Sequence, residues 1–305
     1  MMRKMSVRWM LATATLLLAL AIVLPTLHRR ARADTIINGT QVLPGMTARE
    51  AQESLGGTTT PNWTNDARFK QDVFSFARVI YTVDGRHGFS RGTEPESRWR
   101  IDWPNSDLNF SYRLQQMTSM KADPDGVFVR LTDKKLKDYP FIYFVEAGRM
   151  TLQDNEIPAL RDYLLNGGFA MFDDFWGNQE WKSCYEEIKK VFPDREAVEL
   201  PLTHPIFHGV FDLKEKPQVP GLTWGIKSET TGKTYEDNPR KPGSETVHYR
   251  AIFDDKGRIM VLLCHNTDLG DGWEREGENE YYFREFSEKK AYPIGINIIF
   301  YAMTH

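Results

Sequence analysis

The chain has 305 residues, 41% hydrophobic and 12% aromatic, which is enough for one large domain or two smaller ones with a substantial core. Residues 1–33 contain six Arg or Lys and no acid, so the rest of the chain has 33 basic and 42 acidic residues, a formal net charge of −9. Such an acidic domain is a poor candidate for binding nucleic acid. Two cysteines exclude a disulfide framework, and buried free thiols are favoured over a bridge between Cys184 and Cys264.

The first 33 residues are predicted to form a signal peptide. Three basic residues precede an uncharged apolar run from Met10 to Leu24, and "ARA" before Asp34 is typical of a cleavage site. Three arginines between this run and Asp34 leave an uncleaved membrane anchor as the alternative, although the apolar run is shorter than the roughly 20 residues of a membrane span. Both alternatives export the domain to the periplasm or the extracellular space.

The next part of the chain is polar and has little hydrophobic periodicity. Residues 34–70 include "GGTTTPNWTND" and predict a tether or irregular arm, with one short helix at Thr47–Ser54. The folded region is expected to begin near Phe74. The sequence therefore predicts a single α/β domain over residues 71–305.

Strands and helices alternate through most of this domain. Apolar segments bounded by turn residues predict strands, and amphipathic segments between them predict helices. Such alternation is typical of a doubly wound, mostly parallel sheet. In chain order, the predicted elements are a strand at Ala77–Thr82, a helix at Asp107–Ser119, strands at Val127–Leu131 and Phe141–Gly148, a helix from Thr151 to Asn166, a strand from Phe169 to Asp173 and a helix that begins near Asn178.

The last part of the domain has a different pattern. Two apolar runs flank Lys256 and Gly257 and predict an antiparallel hairpin. A final helix is predicted at Tyr292–Met303, and residues 229–245 are predicted to form an exposed excursion. We therefore expect one α/β sheet with an antiparallel hairpin extension.

Acidic and polar side chains follow the ends of the predicted strands. Ligands of open parallel sheets bind outside the carboxyl ends of the strands, so these side chains are the candidate functional residues. The buried run "FAMF" ends on Asp173 and Asp174, which together with His265 are the catalytic candidates. The ligand-binding candidates are Asp84, Arg86, Glu146, Gly148, Trp176, His204, Asn266 and Asp268.

These residues also have purely structural interpretations. An aspartate at a strand end often caps the following helix or turn. The segment "NTDLGDG" is compatible with a plain turn and lacks the spacing of a calcium loop. His204, which precedes Pro205, is compatible with a packed loop residue. No HExxH, GxGxxG, GxxxxGK[ST] or GxSxG motif occurs.

The two adjacent aspartates are expected to have different roles. Successive side chains of a strand point to opposite faces, so only one of the two can face a cleft above the sheet. We assign Asp173 to the cleft. Asp174 is closer in sequence to the backbone amides near Gly177 and Asn178, so we expect its carboxylate to accept their hydrogen bonds.

A series of ordered motifs resembles a bacterial family called domain of unknown function 4159. They include "RWRIDWPNSDLNFSYRLQQMTS", "FIYFVEAGRMTLQDNEIPALRDYLLNGGFAMFDDFWG", "LTHPIFH", "HNTDLGDGWE" and "GINIIFYAMTH", and they extend from about Phe74 to His305. The resemblance implies a flavodoxin-like or class I glutamine amidotransferase-like fold. The family has no established activity that the resemblance could assign to this chain.

The resemblance also implies what the strand-end residues replace. In amidotransferases this strand leads into an elbow that holds a nucleophilic cysteine, whereas here Asp173 or Asp174 occupies that place. "VEAGRM" is similar to the preceding oxyanion-binding loop and keeps one glycine, Gly148, and "VLLCHNTD" would place His265 at the catalytic histidine. A carboxylate cannot replace a thiolate in attack on an amide, so glutaminase activity is not expected.

Three functions are compatible with the sequence. The leading hypothesis is an exported domain that binds a ligand, such as a carbohydrate or another small polar molecule, or a partner in the cell envelope. The alternative is a hydrolase of a glycan or similar polar substrate that uses Asp173 or Asp174, with or without a metal ion, assisted by His265 or His204. The third is a scaffold in a membrane-associated envelope complex. The sequence assigns no cofactor.

Overall fold

The computed structural model describes residues 35–37, 40–42, 47–55, 60–69, 72–83 and 95–305. The chain divides into two compact units, Met1–Met46 and Thr47–His305. In the first unit, strand β1 (Thr35–Ile37) pairs antiparallel with β2 (Thr40–Val42). The predicted signal peptide at residues 1–33 lies outside the described residues. None of the described helices combines the length and the apolar composition of a membrane span.

A seven-stranded mixed sheet forms the centre of the second unit. Its strands are β4 (Ala77–Val79), β6 (Val127–Val129), β7 (Phe141–Phe144), β8 (Phe169–Phe175), β9 (Val198–Glu199), β10 (His248–Phe253) and β11 (Ile259–His265). Their spatial order is β6-β4-β7-β8-β11-β10-β9. Neighbours are parallel from β6 to β11, and β10 and β9 add antiparallel pairs at one edge. The predicted mostly parallel sheet with an antiparallel hairpin is confirmed. A separate parallel pair joins β3 (Val73–Phe74) and β5 (Lys121–Ala122).

Helices cover both faces of the sheet. They are α1 (Ala48–Leu55), α2 (Asn105–Met117), α3 (Glu156–Leu165), α4 (Gly177–Val191), α5 (Leu222–Thr231) and α6 (Leu269–Glu274). The C-terminal helix has three consecutive parts, Glu280–Tyr282, a π-helical Phe283–Ala291 and Tyr292–Thr304. Short 3-10 helices lie at Ala67–Phe69, Pro95–Arg100, Leu136–Asp138, Ala147–Arg149 and Pro205–Phe207.

Alternating strand side chains build two separate hydrophobic layers. Tyr143 and Met171 pack in one layer with residues of α2 and the C-terminal helix. Phe144 and Phe172 pack in the other layer with residues of α3 and α4, and their rings stack with centroids 4.2 Å apart. Burial on both faces explains why these strands are apolar runs without polar alternation.

The two cysteines lie in different layers. Cys264 on β11 belongs to the layer of α2, and Cys184 on α4 belongs to the opposite layer. Both are buried free thiols, as expected. Because the sheet separates them, they cannot form a disulfide bridge.

Two helices were not predicted. Helix α6 has only six residues, two of them glycine, which is too short for hydrophobic periodicity to be visible. Helix α5 is partly exposed and contains Gly225, where an added Cβ would lie 2.3 Å from the ring of Tyr282. The C-terminal helix also begins earlier than predicted, at Glu280 instead of Tyr292. Tertiary packing, rather than local pattern, determines these segments.

Part of the polar segment before the sheet belongs to the second unit. Gln52 Nε2 on α1 donates to Asn105 Oδ1 at 2.6 Å, and Thr60 Oγ1 donates to Asn109 Oδ1 at 2.5 Å. Trp63 Nε1 donates to the carbonyl of Ala122 at 2.8 Å. The compact unit therefore begins at Thr47, before the predicted domain start at residue 71.

Candidate functional site

A cavity of about 410 Å³ opens at the carboxyl edge of the parallel strands. It lies between the ends of β7 and β8, the segment before α2, the first residues of α5 and α6, and residues 236–241. We call it the acidic cavity, because the described residues that line it include six carboxylates and two cations, Lys241 and Arg275. The carboxylates are those of Asp102, Glu146, Asp174, Glu236, Asp268 and Asp271.

The backbone is strained around this cavity. Among the described residues, four that are not glycine have positive φ: Asp102 (68°), Glu146 (45°), Asp174 (52°) and Asn266 (61°). Three of them line the acidic cavity and the fourth follows β11. Left-handed backbone at such residues is uncommon and tends to cluster at functional sites. The strained backbone therefore marks this edge of the sheet as the candidate functional site.

The predicted roles of the two aspartates are reversed. Asp173 is completely buried, and its Oδ2 accepts hydrogen bonds from Leu269 N at 2.9 Å, Gly270 N at 3.2 Å and Tyr143 Oη at 3.1 Å. Asp174 lines the cavity instead. The assignment of Asp173 to the cleft was wrong because the free amides that need an acceptor on this face belong to the start of α6. The amide of Gly177 is satisfied by Asn266 Oδ1 at 2.8 Å.

Asp174 is held at the edge of the cavity. Trp176 Nε1 donates to its Oδ1 at 3.1 Å, so the predicted candidate Trp176 is a buried positioning residue. Burial raises the pKa of Asp174 well above its usual range, and the charge of Glu146 raises it further. Burial likewise raises the pKa of Asp173, to about 7.

Glu146 lies opposite Asp174 and is partly neutralised. Its Oε1 accepts from Arg98 Nη1 at 3.1 Å, and Arg149 Nε lies 3.6 Å from its Oε2. Burial still raises the pKa of Glu146 against the effect of these two cations. Gly148, in the same loop, leaves room for α4, since an added Cβ would lie 2.5 Å from the Cβ of Glu180.

Lys241 enters the cavity from the excursion predicted at residues 229–245. Its Nζ lies 2.9 Å from Glu236 Oε2 and 3.7 Å from Glu180 Oε1. Burial lowers the pKa of Lys241, but the charges of Glu180, Asp174 and Glu236 outweigh burial and raise it. The ion pair with Glu180 on α4 therefore anchors this end of the excursion, although many of its residues are exposed.

The side of the cavity next to α6 has a surplus of carboxylates. Asp268 caps α6 by accepting from Asp271 N at 2.8 Å. Asp271 accepts from Leu222 N at 2.6 Å and from Arg275 Nε at 3.1 Å. Burial first, and neighbouring carboxylates second, raise the pKa values of Asp102 and Asp268 well above their usual range.

His265 does not line the acidic cavity. Its side chain is 3% exposed and stacks on Phe175 with ring centroids 5.2 Å apart. Its Nε2 faces the carbonyl of Gly177 at 3.1 Å, and Arg250 Nη1 donates to its Nδ1 at 3.2 Å. Burial lowers the pKa of His265 to about 3, so the ring is neutral at neutral pH. Both nitrogens are engaged, which leaves no free base.

Other predicted residues are structural or lie elsewhere. Asn266 braces the loop through Gly177 N and through the carbonyls of Gly243 and Thr246, at 2.7–2.8 Å. His204 caps the 3-10 helix Pro205–Phe207 and packs near Tyr301, towards the amino end of β11. Asp84 and Arg86 lie outside the described residues. Of the sequence candidates, Asp174, Glu146 and Asp268 come together.

Sequence reasoning missed several residues of the site. Asp102, Glu236, Lys241 and Arg275 all line the cavity, yet none of them follows a strand. The signals available were weak: "RWRIDWPNS" precedes the helix predicted at Asp107–Ser119, and "YEDNPRKPG" lies within the excursion predicted at residues 229–245. Their approach to β8 depends on tertiary packing.

Fold and site together define an α/β protein with a mostly parallel sheet and an acidic cavity at the carboxyl edge. The chain belongs to the family Domain of unknown function (DUF4159), which it matches over residues 75–303. No curated protein matches the chain.

Proposed function

We propose that this protein is an exported binding domain whose acidic cavity holds a small, polar, hydroxyl-rich ligand such as a carbohydrate. One observation carries the proposal: a cavity of about 410 Å³ with six lining carboxylates opens at the carboxyl edge of the parallel strands. This edge is where open α/β sheets bind ligands, and the volume falls within the usual range for small-molecule sites, about 300–1,000 Å³.

The chemistry of the lining supports this class of ligand. Carboxylates accept hydrogen bonds from hydroxyl groups, and an excess of them disfavours phosphates and other anions. Trp224 lies half-buried at the cavity, where its ring offers a surface on which a sugar can pack. Lys227 Nζ lies 4.4 Å from the centroid of this ring and helps to fix it.

Ligand screening tests the proposal. Thermal melts of the purified protein with a panel of neutral sugars, amino sugars and uronic acids should reveal a ligand that raises the melting temperature. Trp224→Ala and Asp174→Asn should each weaken its binding at least tenfold in calorimetry. Ile226→Ala, an exposed position on the same helix α5, is the matched control and should bind normally. Equal affinity in wild type and Trp224→Ala would contradict the proposal.

A hydrolase is the second candidate, and the raised pKa values of Asp174 and Asp268 favour it. A carboxyl group whose pKa is raised by burial holds its proton to higher pH and can act as a general acid on a glycosidic or similar bond. His265 is not part of this mechanism, since both ring nitrogens are engaged. Product release from a glycan that disappears in Asp174→Asn would favour hydrolysis over binding alone.

The amidotransferase-like fold remains part of the proposal. Numbered along the chain, the five parallel strands have the order 2-1-3-4-5, which is the flavodoxin-like order. Asp174, with φ of 52°, is the last residue but one of β8 and precedes the start of α4 by three residues, a position similar to that of the nucleophile in a strand–turn–helix elbow. Because this position holds a carboxylate and not a thiol, ammonia release from glutamine should be absent. Ammonia release that is lost in Cys264→Ser would refute the absence of glutaminase activity.

Export and an envelope partner complete the proposal. The basic N-terminus, the apolar run and "ARA" support a mature chain that begins at Asp34. N-terminal sequencing of protein from fractionated cells tests cleavage, and full-length protein in the cytosol would refute export. Co-purification with envelope proteins that persists in Asp174→Asn would indicate a scaffold role that does not depend on the cavity.

A further inference from the structure

We propose that Asp102, Asp271 and Glu274 bind one divalent, oxygen-preferring cation, Ca²⁺ in preference to Mg²⁺, at the edge of the acidic cavity. The inference rests on the positions and charges of these three side chains. It does not depend on the carbohydrate ligand proposed above.

The spacing of the three carboxylates fits a calcium ion. One oxygen from each residue can be chosen so that all three lie within 4.8 Å of one another. Two oxygens bound to the same Ca²⁺, each at about 2.3–2.6 Å, lie at most about 5 Å apart, so this spacing is compatible with Ca²⁺. Ca²⁺ is preferred to Mg²⁺ because it accepts irregular coordination, whereas Mg²⁺ demands near-ideal octahedral geometry and gives up its water reluctantly. The donor set contains only oxygen, which suits Ca²⁺, Mg²⁺ or Mn²⁺ rather than Zn²⁺ or Cu²⁺.

The carboxylate of Asp102 supplies an independent indication of a ligand. The residue is 7% exposed, and its Oδ2 is buried and accepts no hydrogen bond from any described residue. This oxygen is directed at α6, since a Cβ added to Gly270 would lie 2.2 Å from it. A buried carboxylate oxygen without a donor is strongly unfavourable unless a cation or a proton compensates it.

The nearest buried arginine does not satisfy Asp102. Arg78 donates to both oxygens of Asp107, at 2.5 Å and 3.1 Å, and to Ser106 Oγ at 2.9 Å. Its remaining bonds go to the carbonyls of Trp99 and Ile101. Its donors are therefore directed to other acceptors, and Asp102 is left with its charge facing α6.

The charges of the cluster balance with one divalent cation. Among the described residues, Arg275 is the cation that contacts this group, with Nε 3.1 Å from Asp271 Oδ1 and 2.8 Å from Glu274 Oε2. Three carboxylates and one guanidinium leave a formal charge of −2. A divalent cation neutralises this charge, while Arg275 keeps its present contacts.

Two of the three ligands are already positioned. Asp271 and Glu274 are three residues apart on α6, so their side chains share one helix face. The amide of Leu222 fixes Asp271 Oδ2 at 2.6 Å. Because Ca²⁺ takes six to eight oxygens, coordination positions remain for water or for hydroxyl groups of a ligand in the cavity.

Cation titration of the full chain tests the site. After treatment with EDTA and dialysis, CaCl₂ should raise the melting temperature above that found with NaCl at equal ionic strength, and calorimetry should give one ion per chain. Mg²⁺ should produce a smaller shift. In Asp102→Asn the apparent affinity for Ca²⁺ should fall at least tenfold, while the metal-free variant melts at or above the temperature of metal-free wild type.

Two further variants complete the experiment. Asp255→Asn removes a carboxylate that is 89% exposed and remote from the cluster, and should retain the Ca²⁺ response. If Asp102→Asn fails to fold, Glu274→Gln provides the same test. No response to Ca²⁺, Mg²⁺ or Mn²⁺ up to the affinity range of extracellular calcium modules, about 10⁻³ M, overturns the proposal, as does an equal response in wild type and Asp102→Asn. Sugar binding that persists while cations have no effect overturns the cation site alone.

Discussion

At the level of single residues, Asp173 and Asp174 are neighbours in opposite environments. Asp173 Oδ2 accepts three hydrogen bonds, two of them from the first amides of α6, whereas its Oδ1 is buried without a donor. Asp173→Asn puts an NH₂ group in the place of this buried Oδ1, which has no hydrogen-bond partner among the described residues. We expect a loss of about 1–3 kcal/mol in the free energy of unfolding, measured by chemical denaturation.

Asp174→Asn is the matched comparison and should change stability by less than about 0.5 kcal/mol, or increase it. The amide oxygen can still accept from Trp176 Nε1, and asparagine tolerates the left-handed backbone at φ of 52°. The substitution also removes a negative charge that faces Glu146. A greater loss of unfolding free energy in Asp174→Asn than in Asp173→Asn would instead support the assignment made from the sequence, with Asp173 in the cleft and Asp174 bound to backbone amides.

His265 should make folding stability depend on pH. Burial lowers its pKa from 6.5 to about 3 in the folded chain, so between these values the unfolded state binds the additional proton. Its contribution is therefore fully present above pH 6.5 and is lost as the pH falls towards 3. Between pH 6 and pH 4 the free energy of unfolding should decrease by about 2 kcal/mol more in wild type than in His265→Gln. Parallel curves for wild type and His265→Gln would count against this account.

At the level of elements, Asn266 joins three segments of the site. Its side chain accepts from Gly177 N at the start of α4 and donates to the carbonyl of Gly243 in the excursion and to that of Thr246 directly after it. Asn266→Ala leaves these backbone groups unpaired and places alanine at φ of 61°, so we expect a loss of about 2–4 kcal/mol. Tryptic cleavage after Arg240 should become faster. Asn266→Asp keeps the acceptor for Gly177 N and should be affected less, and unchanged proteolysis in Asn266→Ala would show that the excursion is held by other contacts.

The elements differ in how far the sequence predicts them. Helix α4 was foreseen because its apolar residues recur with helical spacing, and β8 because it is a continuous apolar run buried on both faces. Helix α6 could not be predicted, because a helix of six residues with two glycines gives no periodic hydrophobic pattern. The residues of the candidate site also differ in how far the sequence predicts them. Asp174, Glu146 and Asp268 could be predicted from strand ends, whereas Asp102 and Lys241 reach the cavity through loops whose paths only the packed structure determines.

At the level of the whole molecule, the second compact unit begins at Thr47 and not at the start of the sheet. Helix α1 and residues 60–66 contribute hydrogen bonds to α2 and β5, and Trp63 packs against Tyr112 with ring centroids 5.7 Å apart. A chain that begins at residue 71 would expose these partners to water and leave the buried side chain of Asn109 without its bond from Thr60.

We therefore expect truncation to residue 71 to lower the free energy of unfolding by about 3–5 kcal/mol relative to a chain that begins at Thr47, since several hydrogen bonds and one large aromatic contact are lost together. Urea denaturation of the two chains measures the difference. Trp63→Ala in the longer chain should reproduce a part of the loss, because it removes the contact with Tyr112 and the bond to Ala122. Equal stability of the two truncated chains would mean that residues 47–70 are the tether that their polar composition predicts. A measurable difference would instead make them part of the domain that supports α2, and through α2 the segment that carries Asp102 into the acidic cavity.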